Sequence, residues 1–197
     1  MAAILERWRF TVDDFRRLAE VGILTEDDRV ELLDGQIVRM SPIGDRHMAA
    51  VNRCNRVFSR AAGERVLVSV QNPVDLDPYN EPQPDVALLR PRGDDYACGK
   101  PGPPDLLLVV EVADTSLAYD RQTKLPRYAA TGVREAWLLD LEADALEVHR
   151  EPRPDGYALI RRYRRGERVR AEALPDVDVA VEDLLPPLAP LEASGKA

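Results

Sequence analysis

An unbroken apolar run at residues 106–110, Leu-Leu-Leu-Val-Val, ends directly on Glu111. No other stretch constrains the fold of this chain as much. Such a run reads as a strand buried on both faces of a sheet. A carboxylate at its end is costly unless a metal ion, a cationic side chain or a bound proton compensates it. Asp85 opens an earlier apolar stretch, residues 85–90. If the two strands share a central sheet, two acids meet at one place and form the beginnings of a magnesium site built from hard oxygen ligands. Lys124 follows in a helix-like segment, one to two turns past its polar start.

At 197 residues the chain suits one domain with a substantial core, and is short for two. We expect that domain over residues 1–185, followed by a loose tail at 186–197 where proline and small residues dominate. No apolar run approaches the roughly 20 residues needed to span a bilayer. The first ten residues lack the apolar centre of a secretory signal. Cys54 and Cys98 lie far apart, with no CxxC and no paired histidine, which points to neither a zinc site nor a disulfide framework. The expectation is a reduced, cytoplasmic protein with no membrane partner.

The net charge of −8 and pI near 4.9 argue against broad electrostatic binding to nucleic acid. The charge is uneven: residues 150–170 hold eight arginines and three acids, a local balance of +5 (8 − 3). One reading is a solvated hairpin with charged outer faces. The other is a phosphate-facing strip on an acidic protein.

Taken in order, Thr11 with Asp13 and Asp14 signals a helix start, and its stripe ends near Gly22. Residues 29–40 read as a hairpin turning at Asp34-Gly35, with Glu31 on the same face of its first strand as Leu33. Residues 45–62 have helical spacing, and His47 opens the apolar face. Short strands follow at 66–70 and 85–90. The long loop at 91–104, with four prolines and three glycines, is of a kind able to move over a cleft. Asp114, Thr115 and Ser116 offer caps for a helix running towards Ala130, bent or delayed by Pro126 and closed at Gly132. A strand at 135–141 and a hairpin at 145–164, turning at Pro154-Asp155-Gly156, complete the pattern.

Asp85, Glu111 and Lys124 together have the chemistry of phosphodiester hydrolysis. A metal held by two carboxylates acidifies water and neutralises phosphate charge, and a neighbouring lysine orients the attack or stabilises developing charge. Glu31 adds a third carboxylate if its hairpin packs near the strand ends. Each residue also has a structural explanation. Asp85 after Pro84 caps a strand entry, and Lys124 four residues after Asp120 makes an exposed surface pair. Glu111 forms a buried ion pair with Lys124 or an arginine. His47 is a half-buried polar residue.

Several strings resemble the Uma-two family of restriction-endonuclease-like proteins, within the PD-(D/E)XK nuclease superfamily. They are Arg29-Val30-Glu31-Leu32-Leu33-Asp34-Gly35, then Met40-Ser41-Pro42 with His47, then Pro84-Asp85-Val86. The longest is Val110-Glu111-Val112 followed by Ser116, Tyr119-Asp120, Lys124, Tyr128 and Gly132-Val133, leading to Ala136-Trp137-Leu138-Leu139-Asp140. The resemblance implies an α/β fold with a restriction-endonuclease-like core: a central mixed sheet flanked by helices, with an added N-terminal helix and hairpin.

It further implies catalysis by Asp85, Glu111, Lys124 and Glu31, with Asp85, Glu111 and the Val112 carbonyl as metal ligands. His47 and Asp120 are accessory. The metal would be Mg2+, with Mn2+ as substitute, and the substrate nucleic acid, DNA first. A homodimer fits an enzyme that cuts two strands. Ala113 departs from the parent pattern, which has lysine two positions after the glutamate, so Lys124 takes that role. The alternative is a catalytically inactive nuclease-fold binding or regulatory module.

Overall fold

The computed structural model describes residues 7–25 and 27–188. Helix α1 (Val12–Glu20) starts at Thr11, whose hydroxyl and backbone exchange hydrogen bonds with Asp14 in a capping box. Strands β1 (Val30–Leu33) and β2 (Gln36–Arg39) form the expected hairpin. Its turn residues Asp34 and Gly35 both have positive φ, 52° and 71°, the geometry that matches the twist of the paired strands. Arg127 clasps the Asp34 carboxylate, and Leu32 bridges to Glu81, so the hairpin is fastened to the body of the protein.

Helix α2 (Asp45–Ala62) buries one stripe, Ala50, Val51, Cys54, Phe58 and Ala62. It covers one face of a six-stranded sheet ordered β3 (Leu67–Val70), β4 (Val86–Leu89), β5 (Leu106–Ala113), β6 (Glu135–Asp140), β7 (Ala145–Arg153) and β8 (Gly156–Arg164). Neighbours are antiparallel except β5 and β6. The parallel pair requires a crossover, supplied by α3 (Leu117–Tyr119), a π-helical segment (Asp120–Lys124) and α4 (Leu125–Ala130) on the opposite face. Strands β9 (Arg168–Val169) and β10 (Val179–Ala180) pair before α5 (Val181–Leu184), which packs beside α2.

Two cores result. One joins α2 and α5 to Val110, Val112, Trp137 and Leu139; the other joins α4 to Val109, Ala113, Ala136 and Leu138. The alternation along β5 and β6 accounts for both, since a central strand buried on two faces supplies side chains to each.

Three expectations are corrected. Ser116 stands at the N-cap of α3, but its side chain makes no cap bond; its hydroxyl donates instead to the Asp120 carboxylate at 2.5 Å. Loop 91–104 does not reach the cleft. It joins the end of β4 to the start of β5, whereas Asp85 and Glu111 lie at the other ends of these antiparallel strands. The loop is also pinned: Lys100 pairs with Glu81, and Asp75 N–H donates to the Pro101 carbonyl. Pro186, placed in the expected tail, is buried and its carbonyl accepts a bond from Arg165. The rest of that tail from residue 189 lies outside the described residues.

Candidate functional site

The register of β4 on β5 places the two acids together. Val86 pairs with Val110, and continuing by one residue brings Asp85 level with Glu111. Beyond the ladder the Val112 N–H has no strand partner on that side and donates to Asp85 Oδ2 at 2.9 Å. The Val112 carbonyl points to the same edge, because both groups of one strand residue face the same neighbour. His47, in the first turn of α2, lies 3.0 Å from Asp85 Oδ2 through Nε2, and Gln71 donates to Oδ1.

Glu111 projects to the α4 side. Its Oε1 accepts from the Tyr128 hydroxyl at 2.6 Å and lies 2.9 Å from Lys124 Nζ. The same ammonium reaches Glu31 Oε2 at 3.3 Å and the Gln83 carbonyl at 3.3 Å. Glu31 is fixed by the Gln83 N–H and the Tyr119 hydroxyl. Lys124 is 5% exposed, so it is not the surface partner of Asp120.

The π-helical segment explains how a lysine thirteen positions after Glu111 returns to it. Pro126 has no N–H for the carbonyl four residues back, and its ring crowds that carbonyl. The helix widens over the preceding turn, with Leu125 N–H bonding the Asp120 carbonyl five residues earlier. Asp120 and Lys124, the first and last residues of the widened turn, both face inward. Arg121, between them, faces Glu147 and Asp140 on the sheet.

Glu31, His47, Asp85, Glu111, Val112, Asp120 and Lys124 all line one cavity of about 340 Å³. All seven residues expected at the site are therefore brought together. The cavity is lined by five carboxyl groups, those of Glu31, Asp85, Glu111, Asp114 and Asp120, against Lys124, Arg29, Arg39 and the His47 imidazole, a modest excess of acid. Burial pushes Glu111 up to about 8, aided by the charges of Asp120 and Asp85. Burial likewise raises Asp120 to about 6. Burial disfavours the Lys124 ammonium, but Glu111, Glu31, Asp120 and Asp85 outweigh it and hold the amine well above its ordinary value. Asp85 is lowered: burial opposes its charge, but His47, Lys124 and the Val112 N–H overcome it.

Among the described residues no three acidic, histidine or cysteine side chains converge as a ready metal cage. Magnesium does not require one, since it binds through one or two carboxylates and keeps several waters. The carboxylates of Asp85 and Glu111, the Val112 carbonyl and the surplus of negative charge fit such an ion.

A family model described as "Putative restriction endonuclease" matches residues 12–182. The chain belongs to the Uma2 family. A crystal structure of a "putative nuclease belonging to DUF820" from Anabaena variabilis ATCC 29413 shares the fold, with a TM-score of 0.66 at 15% identity. The match covers 89% of this chain and 97% of that one. No curated protein matches the sequence. The central mixed sheet flanked by helices is thus the nuclease-like architecture expected of a Uma2 protein.

In this Uma2 chain four supporting residues escaped the reading of the sequence. Tyr119 and Tyr128 stand in the family strings, but nothing in one sequence says that their hydroxyls hold Glu31 and Glu111. Gln71 and Gln83 carry no motif signal, although Gln83 precedes Pro84-Asp85 and bridges Glu31 and Lys124 through its main chain. The arginine-rich segment 150–170 is partly neutralised within the molecule. Arg150 pairs with Glu135, Arg162 with Asp140, Arg165 with Asp144, and Arg168 and Arg170 with Asp178.

Proposed function

We propose that this protein is a metal-dependent endonuclease that hydrolyses phosphodiester bonds, with DNA as substrate and Mg2+, or Mn2+ in its place, as cofactor. The observation that carries this reading is the meeting of Asp85, Glu111 and Lys124 in one acid-rich cavity of a Uma2-family fold. Asp85, Glu111 and the Val112 carbonyl would hold the ion. Bound there, it supplies neutralisation of phosphate charge and an acidified water.

The remaining groups act on position and charge. His47 and Gln71 fix the Asp85 carboxylate, and Tyr128 fixes Glu111. Lys124, kept cationic by the surrounding carboxyls, orients the attacking water or stabilises charge on the phosphate. Glu31 sets the position of Lys124.

A second reading, a nuclease-fold binding module without turnover, is favoured by one contact set. The three protons of Lys124 already have three acceptors, in Glu111, Glu31 and the Gln83 carbonyl. Cleavage of supercoiled plasmid and of labelled oligonucleotides separates the two. Nicking that requires Mg2+ or Mn2+ and is lost in Asp85→Asn supports the enzyme; metal-independent binding with no cleavage under any of these cations supports the module.

A further inference from the structure

The net charge of −8 hides a helix of the opposite character. From Arg46 to Ala62 the chain holds four arginines and no acid, although 35 of its 197 residues are acidic. Burial of Ala50, Val51, Cys54 and Phe58 against the sheet turns Asn52, Arg56, Ser59 and Arg60 outward, where all four are exposed. Arg46 pairs with Asp114, and Arg53 donates to the main-chain carbonyls of Glu182 and Asp183.

Arg56 and Arg60 differ. Among the described residues neither has a carboxylate within 4.0 Å, although both share a shallow groove with Asp183 at the end of α5. Like charges four residues apart on a helix repel, so this pair is kept at a small cost in stability. An anionic partner removes that cost. The exposed side chains, arginine with asparagine and serine, are those that commonly contact nucleic-acid phosphates.

The position of the helix supplies the second argument. Gly44, its N-cap, and His47 line the catalytic cavity. At 1.5 Å per residue, Arg56 and Arg60 lie about 13 Å and about 20 Å along the axis from His47. They also lie about half a turn round the helix from His47, so DNA held by them follows the outer face of α2 towards its cavity-lining N-terminus rather than lying directly over the cavity.

We infer that the outer face of α2, through Arg56 and Arg60, binds the phosphate backbone of duplex DNA and guides it to the cavity. The inference rests on the nuclease reading of that cavity and gives it a docking surface. Binding here is to backbone, so it is independent of sequence and weakens with salt.

The test is fluorescence anisotropy with a labelled 20-base-pair duplex in EDTA, across a salt series. Wild type, Arg56→Ala/Arg60→Ala and Arg56→Glu/Arg60→Glu are compared, with thermal melts confirming that each is folded. We expect the double alanine variant to bind at least 10-fold more weakly, with a salt slope smaller by about two. The glutamate pair should bind more weakly still. Equal binding by wild type and the double alanine variant overturns the surface while leaving the cavity's chemistry standing. Absence of duplex binding by wild type at low salt also overturns it, as does Arg56/Arg60-dependent binding to anionic phosphatidylserine vesicles without binding to DNA. Metal binding at Asp85 and Glu111, measured separately, decides the nuclease reading.

Discussion

Lys124 Nζ lies 2.9 Å from Glu111 Oε1, and both side chains are buried. The contact joins a strand end to a widened helical turn. It also ties two acids from distant parts of the chain, Glu31 and Glu111, to a single cation.

Removing the cation should therefore be costly. Lys124→Met leaves Glu31 and Glu111 buried without their partner, and breaking a buried pair in this way costs about 3–5 kcal/mol. Adding Glu111→Gln to Lys124→Met should restore part of that loss, because the pair is coupled. Urea denaturation of the two single variants and the double variant measures it. Simple additivity of the two losses would show that the residues do not interact.

The pH dependence has a defined sign. The Glu111 carboxyl is raised by burial to about 8, against an unfolded value near 4.3. Its contribution to stability is full below about pH 4.3 and is lost as pH rises through about 8. Relative to Glu111→Gln, wild type without added metal should lose stability between pH 5 and pH 8. A cation competing with the same proton should bind more tightly over that range. Thermal melts and metal titrations at pH 6 and pH 8 check both; an affinity that does not change would place the metal away from Glu111.

Gly35 holds the hairpin that carries Glu31. Its φ is +71°, and a Cβ there would lie 2.7 Å from the Cβ of Arg9. Gly35→Ala should destabilise the protein by more than about 1 kcal/mol, since the left-handed strain and the overlap act together. Chemical denaturation reads this directly, and a neutral effect would mean that the turn relaxes without strain.

Much of this arrangement is legible in the residues, for physical reasons. The run 106–110 has to be a central strand, and Asp34-Gly35 has to be a turn. The apolar stripe of α2 appears with its observed limits, Asp45–Ala62, because packing against a sheet imposes a strict period. The position of Lys124 was not legible. It depends on a widening of the helix before Pro126, and sequence spacing gives no measure of that.

Charge patterning misdirects in an instructive way. Segment 150–170 has the larger excess of arginine, but its acids are supplied by sheet neighbours such as Glu135 and Asp140, which are distant in sequence. Among the described residues Arg153, Arg161 and Arg164 of that segment, and Arg56 and Arg60 of α2, have no carboxylate within 4.0 Å. A count along the chain does not tell the paired arginines from the unpaired ones.

The central claim is that Asp85 and Glu111 hold a divalent cation. Calorimetry of Mg2+ and Mn2+ binding to wild type and to Glu111→Ala tests it most directly. The account predicts saturable binding to wild type that is abolished in the variant. No binding by wild type, together with a lower melting temperature for Glu111→Ala, would contradict it and leave Glu111 as the structural partner of Lys124.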